Sequence, residues 1–499
     1  MLKRNLLANY FGHGWRAVMS LAFVPIYIKY LGIEAYGLIG IFAILISALG
    51  LLDLGMKPAL GREMARYTGG THNEQSIWNL LRSIEIISSV IVIIVAFVIW
   101  FISNWLATSW VKAQTLPTPV VAQAFAIMGL VAALQFFESI YSSSLAGLQR
   151  QVIQNVIICS MATIRGLGAV GVLVWVSPTT QAFFIWQAIC SCISLLVCAI
   201  VVYKLLPSPP NPARFSMPAM RGIGSFAGGM LGITFLSLLL VQGDKVILSK
   251  LLTLSEFGYY SLAATMGGAL FLIVGPIGQA WFPKLTELQA GNKKAQLIEK
   301  YHQGAQLVSV FMGSAALIMM SFSETILQLW THDAKLAHQS ATLLSLLALG
   351  NLLNGMMWIP YQTQLAYGWT SLTIRMNIIS ITIIIPAFFV AIPLFRGEGA
   401  AWVWASLNAG YVLIGIHFMH RKILTTEKWK WYLQDIMQPL VFAISVATLL
   451  SWAMPADLTY NCKLAWLLTA STLTLLTTAF AAKDVRKILM SQIKHWSQF

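Results

Sequence analysis

Seven charged side chains fall within or beside long apolar runs of the sequence, where a charge is costly. They are Arg16, Asp53, Lys57, Glu138, Arg165, Asp244 and Lys245. A charged side chain at the centre of a membrane helix costs about 2.5 to 3.5 kcal/mol on insertion scales, so it faces a partner or a water-filled cavity. Such residues indicate a site inside the membrane.

Pairing with an opposite charge accounts for some of these residues. Glu138 and Arg165 lie at similar distances from the loop between their predicted helices, so they face each other across an antiparallel hairpin. Asp53 and Lys57 are four residues apart, which places them on one face of a predicted helix. Four cations meet three anions, so pairing leaves at least one cation over.

From the spacing of these charges we predict that Arg16 is the cation that pairing leaves over. It lies roughly ten residues from the cytoplasmic start of its predicted helix, which is about 15 Å at 1.5 Å per residue. His13 and Ser20 share its helix face and form a polar stripe in an otherwise apolar helix. The sequence therefore predicts an arginine at mid-depth in a wet cavity.

Composition predicts the elements that hold these charges. Of 499 residues, 58% are hydrophobic and 10% are charged, with a mean hydropathy of +0.74. Soluble proteins carry about 25% charged residues, so the chain is an integral membrane protein. Alternating apolar and polar residues are absent over strand lengths, which leaves helices as the spanning elements. The net charge of +15 is explained by basic loops on acidic lipid, without a nucleic-acid partner.

Hydropathy predicts an all-α polytopic membrane protein with about fourteen transmembrane helices. The predicted spans are 7–31, 36–60, 83–104, 121–147, 155–176, 180–203, 222–252, 258–282, 304–330, 337–366, 376–395, 399–420, 437–454 and 464–482. Most lysines and arginines of the loops fall on one side, which predicts that both termini are cytoplasmic. The external loops are too short to hold an enzyme active site.

An internal repeat predicts two lobes. Segments 25–38, 65–73 and 144–155 resemble 246–259, 286–294 and 364–377, in the same order. Six spans separate equivalent points, so two six-helix lobes are related by a pseudo-two-fold axis along the membrane normal. The predicted division is a lobe at 1–203, a cytoplasmic linker at 204–221, a lobe at 222–421, and two additional helices with a basic tail at 422–499.

Three stretches resemble a known family. They are LGIEAYGLIGIFAILISALGLLDLGMKPALGREMAR (31–66), GLQRQVIQN (147–155) and GDKVILSKLLTLSEFGYYSLA (243–263). They are similar to the Wzx-type polysaccharide-unit flippases of the multidrug, oligosaccharidyl-lipid and polysaccharide exporter superfamily. The resemblance implies transfer of an O-antigen or capsule unit on undecaprenyl diphosphate across a bacterial inner membrane. It supplies no fixed motif for the binding residues.

A diphosphate headgroup gives the intramembrane cations a ligand. A guanidinium matches phosphate oxygens with two parallel hydrogen bonds, and a bare diphosphate cannot enter hydrocarbon. We therefore predict that Arg16, Lys57 and Arg165 bind the headgroup. The carboxylates Asp53, Glu138 and Asp244 either pair with these cations or carry a coupling proton or sodium ion. No other cofactor and no metal site are expected, because the chain lacks a phosphate-binding glycine loop and the cysteine spacing fits no metal.

Sugars need hydroxyl partners and aromatic faces, which the second half of the chain supplies. The candidates are Gln242, Asn351, Asn354, Trp358 and Tyr361. The last four share helical spacing in NLLNGMMWIPYQTQ (351–364). A packed interface with hydrogen-bonded amides is the alternative interpretation of each residue.

Two other functions remain open from the sequence. A multidrug exporter of the same superfamily would exchange cations, whereas the predicted interior is net basic. A membrane glycan polymerase or ligase would need catalytic groups on larger external loops. The partners expected for a flippase are the lipid-linked oligosaccharide, anionic lipids at the cytoplasmic face and the glycan polymerase machinery.

Overall fold

The computed structural model describes residues 2–70, 73–209, 211–455, 457–487 and 490. Within these ranges the chain is helical, and its one β-bridge joins Lys112 to Thr253. The chain forms two compact units, Met1–Gly258 and Tyr259–Phe499. The predicted lobe boundaries rest on the repeat rather than on compactness, and they stay a prediction.

The helices of the first unit pack around a central one. They are α1 (Leu2–Ala22), α2 (Val24–Leu49), α3 (Met56–Thr68), α4 (Glu74–Trp105), α5 (Thr118–Gly147), α6 (Gln151–Gly171), α7 (Thr180–Leu205) and α8 (Met217–Leu251), followed by the start of α9 (Leu254–Gly268). Helix α5 contacts α2, α3, α4 and α7, and small residues allow this close approach. Gly129 lies against Ile99 of α4, and Gly147 lies against the Gly61 backbone of α3.

The second unit has α11 at its centre. Its helices are α10 (Phe271–Ala290), α11 (Lys294–Ser321), α12 (Ser323–Thr331), α13 (Ala334–Met356), α14 (Trp358–Ala366), α15 (Ser371–Gly410), α16 (Ile416–Lys422), α17 (Lys428–Lys430), α18 (Gln438–Trp452) and α19 (Tyr460–Ala481). Short π-helical turns, Tyr411–Gly415 and Trp431–Met437, continue α15 into α16 and α17 into α18. Helix α11 contacts α10, α13, α14, α18 and α19.

The prediction of an all-α polytopic membrane protein is confirmed. In the part of the chain that is described, eleven helical stretches are long and apolar enough to cross a membrane. Two of them contain a break where the sequence predicts a loop between spans. Gly32, with φ 83°, divides Val24–Asp53, and Arg396, with φ 53°, divides Ser371–Lys422. The predicted spans 7–31 and 222–252 correspond to α1 with the start of α2, and to α8.

The prediction that residues 36–60 form one helix is wrong. Helix α2 ends at Leu49, a 3₁₀ turn covers Gly50–Asp53, and α3 begins at Met56. Leu54 and Gly55 between them are left-handed, with φ 51° and 75°. Asp53 therefore does not share a helix face with Lys57. Its carboxylate instead accepts the backbone N–H of Lys57, at 3.0 and 3.2 Å, in the first turn of α3, where helical N–H groups lack partners.

The predicted linker 204–221 lies along the start of α4. Four hydrogen bonds hold it there, each between a side chain of α4 and a backbone group of the linker. They join Trp78 to Pro207 O at 2.6 Å, Gln75 to Asn211 N at 2.9 Å, Asn79 to Arg214 N at 3.0 Å and Ser83 to Ser216 N at 2.8 Å. The linker is therefore bound along much of its length.

We expect Gly147→Ala to destabilise the first unit. An added Cβ at Gly147 would lie 2.3 Å from the Gly61 carbonyl oxygen, and backbone cannot yield cheaply. Overpacking of this kind costs about 1 to 3 kcal/mol, so the melting temperature of the detergent-solubilised protein should fall by several degrees. Gly14→Ala is the matched control, because no atom lies within 4 Å of its added Cβ. Equal melting temperatures for the two variants would contradict the close packing of α3 on α5.

Candidate functional site

Glu138 and Arg165 are each held by a serine of α7, which packs against both of their helices. Arg165 Nη2 donates to the Ser191 hydroxyl at 3.2 Å, and the Ser194 hydroxyl donates to Glu138 Oε1 at 2.6 Å. Arg165 attracts Glu138 electrostatically, but no ion pair joins them directly within the described residues. The two charges are therefore bridged by serines three residues apart on one face of α7.

Arg165 has a hydrogen-bond donor that no described residue accepts. Its side chain is half-buried, and its buried Nε has no acceptor among the residues that the structure describes. A guanidinium carries five N–H donors. The Ser191 hydroxyl that accepts one of them also accepts a hydrogen bond from Gln135, at 3.4 Å. An arginine with unused donors inside an apolar bundle is suited to bind an anion.

Lys57 reaches the same turn of α5 as Glu138. Its Nζ lies 4.2 Å from the centre of the Phe136 ring, a cation–π contact. The Ser143 hydroxyl donates to the Lys57 carbonyl oxygen at 2.6 Å, which fixes the backbone of α3 against α5. The structure thus places Lys57 and Glu138 at one level of α5, around residues 136–138, and places Arg165 beside Glu138 through α7.

Arg16 is exposed on α1, and α1 is fastened to α6. Trp15 Nε1 donates to Thr163 Oγ1 at 2.9 Å, two residues before Arg165. Arg16 interacts electrostatically with Cys159, six residues before Arg165, which is about 9 Å along the helix axis. Arg16 therefore lies on α1 beside α6, at a level one to two turns nearer the predicted cytoplasmic end of α6 than Arg165.

The charged residues of α8 form a separate group in the first unit. Gln242 Nε2 donates to Ser47 Oγ of α2 at 3.2 Å, and Lys245 Nζ donates to Gln242 Oε1 at 3.2 Å. Asp244 is half-buried on the same helix. Gln242, a predicted sugar contact, therefore belongs to the first unit and joins α8 to α2.

Three predicted sugar contacts line one pocket of the second unit. Asn354, Trp358 and Tyr361 lie there with six further residues, and the pocket volume is about 190 Å³. The six are Met357, Gln364, Thr373, Met376, Asn377 and Tyr411. Trp358 Nε1 is buried and has no acceptor among the described residues, while Tyr361 is 39% exposed. The lining combines aromatic faces with amide and hydroxyl groups.

Asn351 lies outside this pocket and is held by packing interactions. It is buried, and its Oδ1 accepts a hydrogen bond from Trp404 Nε1 at 3.0 Å. Asn354 also bonds a neighbour, donating to Asn408 Oδ1 at 2.8 Å. Asn351 thus fits the alternative interpretation, an amide within a packed interface.

Sequence reasoning missed the groups that complete both clusters. Ser191 and Ser194 stand three residues apart in an apolar run, so polar spacing on one helix face is the signal that reveals them. The Tyr411 hydroxyl, in the π-helical turn after α15, donates to Asn377 Oδ1 in the first half of α15 at 3.2 Å. These two residues come close because the helix breaks at Arg396. The local sequence pattern does not give the direction of such a break.

A larger cavity of the second unit, about 830 Å³, is an apolar groove between the two halves of α15. Ile379, Ile383, Phe395 and Trp402 line it, and Arg375 is its charged member. None of the predicted site residues lines this groove. Its chemistry fits hydrocarbon rather than sugar or phosphate.

The fold is the one shared by two-lobe helical membrane transporters. The solved structure of lipid II flippase MurJ, in an inward closed conformation, matches with a TM-score of 0.69 at 13% identity, covering 95% of this chain and 98% of that chain. An inward-facing multidrug resistance transporter of the MATE family, in the MOP superfamily, matches with a TM-score of 0.64 at 13% identity, covering 83% and 96%. At these identities the likeness shows the fold alone.

Sequence comparison shows the family. The family model described as polysaccharide biosynthesis protein matches residues 2–289, and a MatE model matches residues 288–390. A curated "Putative O-antigen transporter" of Shigella flexneri is 21% identical over 405 residues, which is 81% of this chain and 94% of the relative. The chain belongs to the polysaccharide biosynthesis protein family.

Replacing Asp53 separates a capping role from an ion-coupling role. Asn retains a side-chain oxygen that accepts the Lys57 N–H, whereas Ala removes it. We expect Asp53→Asn to keep the melting temperature of the solubilised protein, and Asp53→Ala to lower it by a few degrees, since a lost cap costs about 1 kcal/mol. Equal losses in both variants would show that the charge, and not the cap, is what α3 needs.

Proposed function

We propose that this chain is a flippase that moves an oligosaccharide unit on undecaprenyl diphosphate from the inner to the outer leaflet of a bacterial inner membrane. The family, the curated relative and the fold shared with a lipid II flippase support this proposal. The observation that carries it is Arg165, whose guanidinium lies half-buried in an apolar bundle with an N–H that no described residue accepts.

The headgroup is held by Arg16, Lys57 and Arg165. Arg165 offers an Nε–H that no described residue accepts, and the ammonium of Lys57 lies over the Phe136 ring, with the Asp53 carboxylate bonded to the Lys57 backbone. Arg16 lies nearer the predicted cytoplasmic end of α6, so a diphosphate meets it before Arg165. Cations at two depths let the headgroup move by exchanging partners, which avoids the cost of a bare phosphate in hydrocarbon.

The sugar is bound in the second unit by Asn354, Trp358 and Tyr361. Their pocket of about 190 Å³ is below the 300 to 1,000 Å³ of ordinary ligand sites, so it holds one sugar ring rather than a whole unit. Tyr361 offers an exposed aromatic face, and Trp358 offers a buried N–H donor. Gln242 and Asn351 remain weaker candidates, because Ser47 and Trp404 already bond them.

Transport proceeds by alternating access, without a cofactor, and a proton or sodium ion is the coupling candidate. Of the predicted carboxylates, Glu138 is the best placed, because Arg165 attracts it electrostatically and it accepts one hydrogen bond from Ser194. Asp53 is occupied as a helix cap. Both termini are cytoplasmic in this proposal, anionic lipids contact the basic loops, and the glycan polymerase machinery uses the product.

The second candidate function is the export of cationic drugs. The multidrug transporter fold and the MatE match at residues 288–390 favour it. A cation would need net negative charge in the interior, whereas the three cations Arg16, Lys57 and Arg165 outnumber the two carboxylates Asp53 and Glu138. A drug exporter is therefore the less favoured candidate.

A deletion strain separates these functions. We expect the complete unit to accumulate on undecaprenyl diphosphate while the surface polymer is lost, because transfer is the missing step. Membrane extracts analysed by mass spectrometry, beside a surface glycan gel, measure both. Normal lipid-linked pools with altered drug sensitivity would favour the exporter, and single unpolymerised units at the surface would indicate a polymerase.

Arg16→Ala tests the headgroup site in the complemented strain. We expect surface glycan to fall by about ten- to a hundredfold at unchanged protein level, because a charge-assisted hydrogen bond contributes about 1.5 to 3 kcal/mol. Arg16→Lys should restore only part of the surface glycan, since an ammonium cannot make the two parallel hydrogen bonds of a guanidinium. Arg214→Ala, at an exposed linker arginine, is the control. Normal glycan in Arg16→Ala would remove Arg16 from the headgroup site.

Trp358→Phe tests the sugar pocket by removing an N–H donor and keeping an aromatic ring. We expect slower transfer with an unchanged melting temperature, because no described residue accepts that N–H. Trp404→Phe is the matched control, in which the bond to Asn351 is lost and stability should fall instead. Transfer at the normal rate in Trp358→Phe would argue against a sugar contact at this indole.

A further inference from the structure

The second unit contains a buried histidine between two carboxylates, away from the sugar pocket. His302 of α11 is 1% exposed, Asp435 in the turn before α18 is 0% exposed, and Glu427 before α17 is 15% exposed. His302 Nδ1 contacts Asp435 Oδ2, and His302 Nε2 contacts Glu427 Oε2 at 2.9 Å. Each ring nitrogen therefore faces a carboxylate oxygen.

This geometry fixes the number of protons. A neutral imidazole has one N–H, and an ionised carboxylate only accepts hydrogen bonds. Each of the two contacts between a ring nitrogen and a carboxylate oxygen therefore needs a hydrogen of its own. Either the ring carries both hydrogens, or the ring carries one and a carboxylic acid carries the other. A neutral ring between two ionised carboxylates would leave two lone pairs facing each other in a buried site, which is costly. The three groups together hold one proton more than a neutral histidine and two carboxylates.

Gln306 limits where the extra proton lies. Its Nε2 donates to Asp435 Oδ1 at 2.8 Å and to Asp484 Oδ2 at 3.3 Å, and its Oε1 accepts the Asp484 N–H at 2.7 Å. Oδ1 of Asp435 thus already accepts a hydrogen. A proton on this acid would lie on Oδ2, within the contact to His302.

Glu427 is the ionised side of the cluster. Burial raises its pKa, but hydrogen bonds from His302 and Thr426 and the nearby charge of Lys430 leave that pKa below its ordinary value. Lys430 Nζ lies 3.7 Å from Glu427 Oε2. The extra proton is therefore on the His302 ring or shared between His302 and Asp435.

The other titratable groups around the cluster need no extra proton. His420 Nδ1 faces the Ile416 carbonyl oxygen at 3.1 Å, and its Nε2 faces the Tyr301 hydroxyl at 3.2 Å, so a neutral ring satisfies both contacts. The remaining ionisable neighbours are Tyr432, Lys428, and Lys487, whose Nζ is 3.7 Å from Asp484. His420 is thus a neutral histidine within the same unit and an internal control.

We propose that His302, Glu427 and Asp435 form a proton-binding site that fastens the two last helices to α11. Asp435 precedes α18 and Asp484 follows α19, while His302 and Gln306 belong to α11. The partly exposed Glu427 gives the proton its route to water. Loss of the proton removes a hydrogen from one of the two contacts and loosens residues 423–437 from α11. The proposal is independent of the transported substrate.

Histidine ¹⁵N resonances of the purified full-length protein count the protons directly. At neutral pH we expect both ring nitrogens of His302 to carry a proton, and only one ring nitrogen of His420. The variants His302→Gln and His420→Gln assign the resonances to each residue. A neutral His302 ring together with an infrared acid band that Asp435→Asn abolishes also supports the site. A neutral ring without that band overturns the proposal.

Hydrogen exchange tests the fastening, with Asp435→Asn as the variant. An amide at 435 donates to or accepts from a neutral ring, so it removes the need for the extra proton. In the wild type we expect protection factors of residues 423–437 to fall roughly tenfold or more as pH rises, since a charge-assisted bond is lost. They should stay constant in Asp435→Asn, and those of α13 should stay constant in both. If the wild-type protection factors of residues 423–437 change with pH as little as those of Asp435→Asn, the proposed fastening is refuted.

Discussion

An ionised side chain inside an apolar helix bundle must receive hydrogen bonds or an opposite charge, because hydrocarbon supplies neither. The two units meet this constraint in different ways. In the first unit, Glu138 and Arg165 each hydrogen-bond a serine of α7 and attract each other without forming a direct ion pair. In the second unit, His302 is enclosed by two carboxylates in direct contact. An incompletely neutralised arginine is suited to a ligand that comes and goes, whereas an enclosed histidine is suited to holding helices together.

Much of the fold follows from the sequence, because hydrocarbon thickness fixes the length of an apolar helix. The breaks at Gly32 and Arg396 fall where loops were predicted, since short polar or glycine-containing stretches interrupt long apolar runs there. The break at Leu54–Gly55 was missed, because its flanks keep helical periodicity and only the left-handed backbone reveals it. Because of that break, the Asp53 carboxylate hydrogen-bonds the Lys57 backbone, while its charge still attracts the Lys57 ammonium.

The candidate site was predictable in its depth but not in its contacts. Residue spacing places Glu138 and Arg165 at one level, yet it does not give the rotation of each helix about its axis. A third helix, α7, takes the position between them and contributes Ser191 and Ser194. Similarly, helical spacing gathered Asn354, Trp358 and Tyr361, but Asn351 of the same stretch turned toward Trp404. Long-range packing decides these choices.

The linker bound along α4 has a mechanical consequence. A flexible, unbound linker would let α8 shift without disturbing the rest of the first unit, because such a linker transmits no force. Here the backbone from Pro207 to Ser216 is anchored at four points, and the last anchor is the residue that caps α8. A displacement of α8 is therefore transmitted through these hydrogen bonds to the first turns of α4, so the two helices are mechanically coupled.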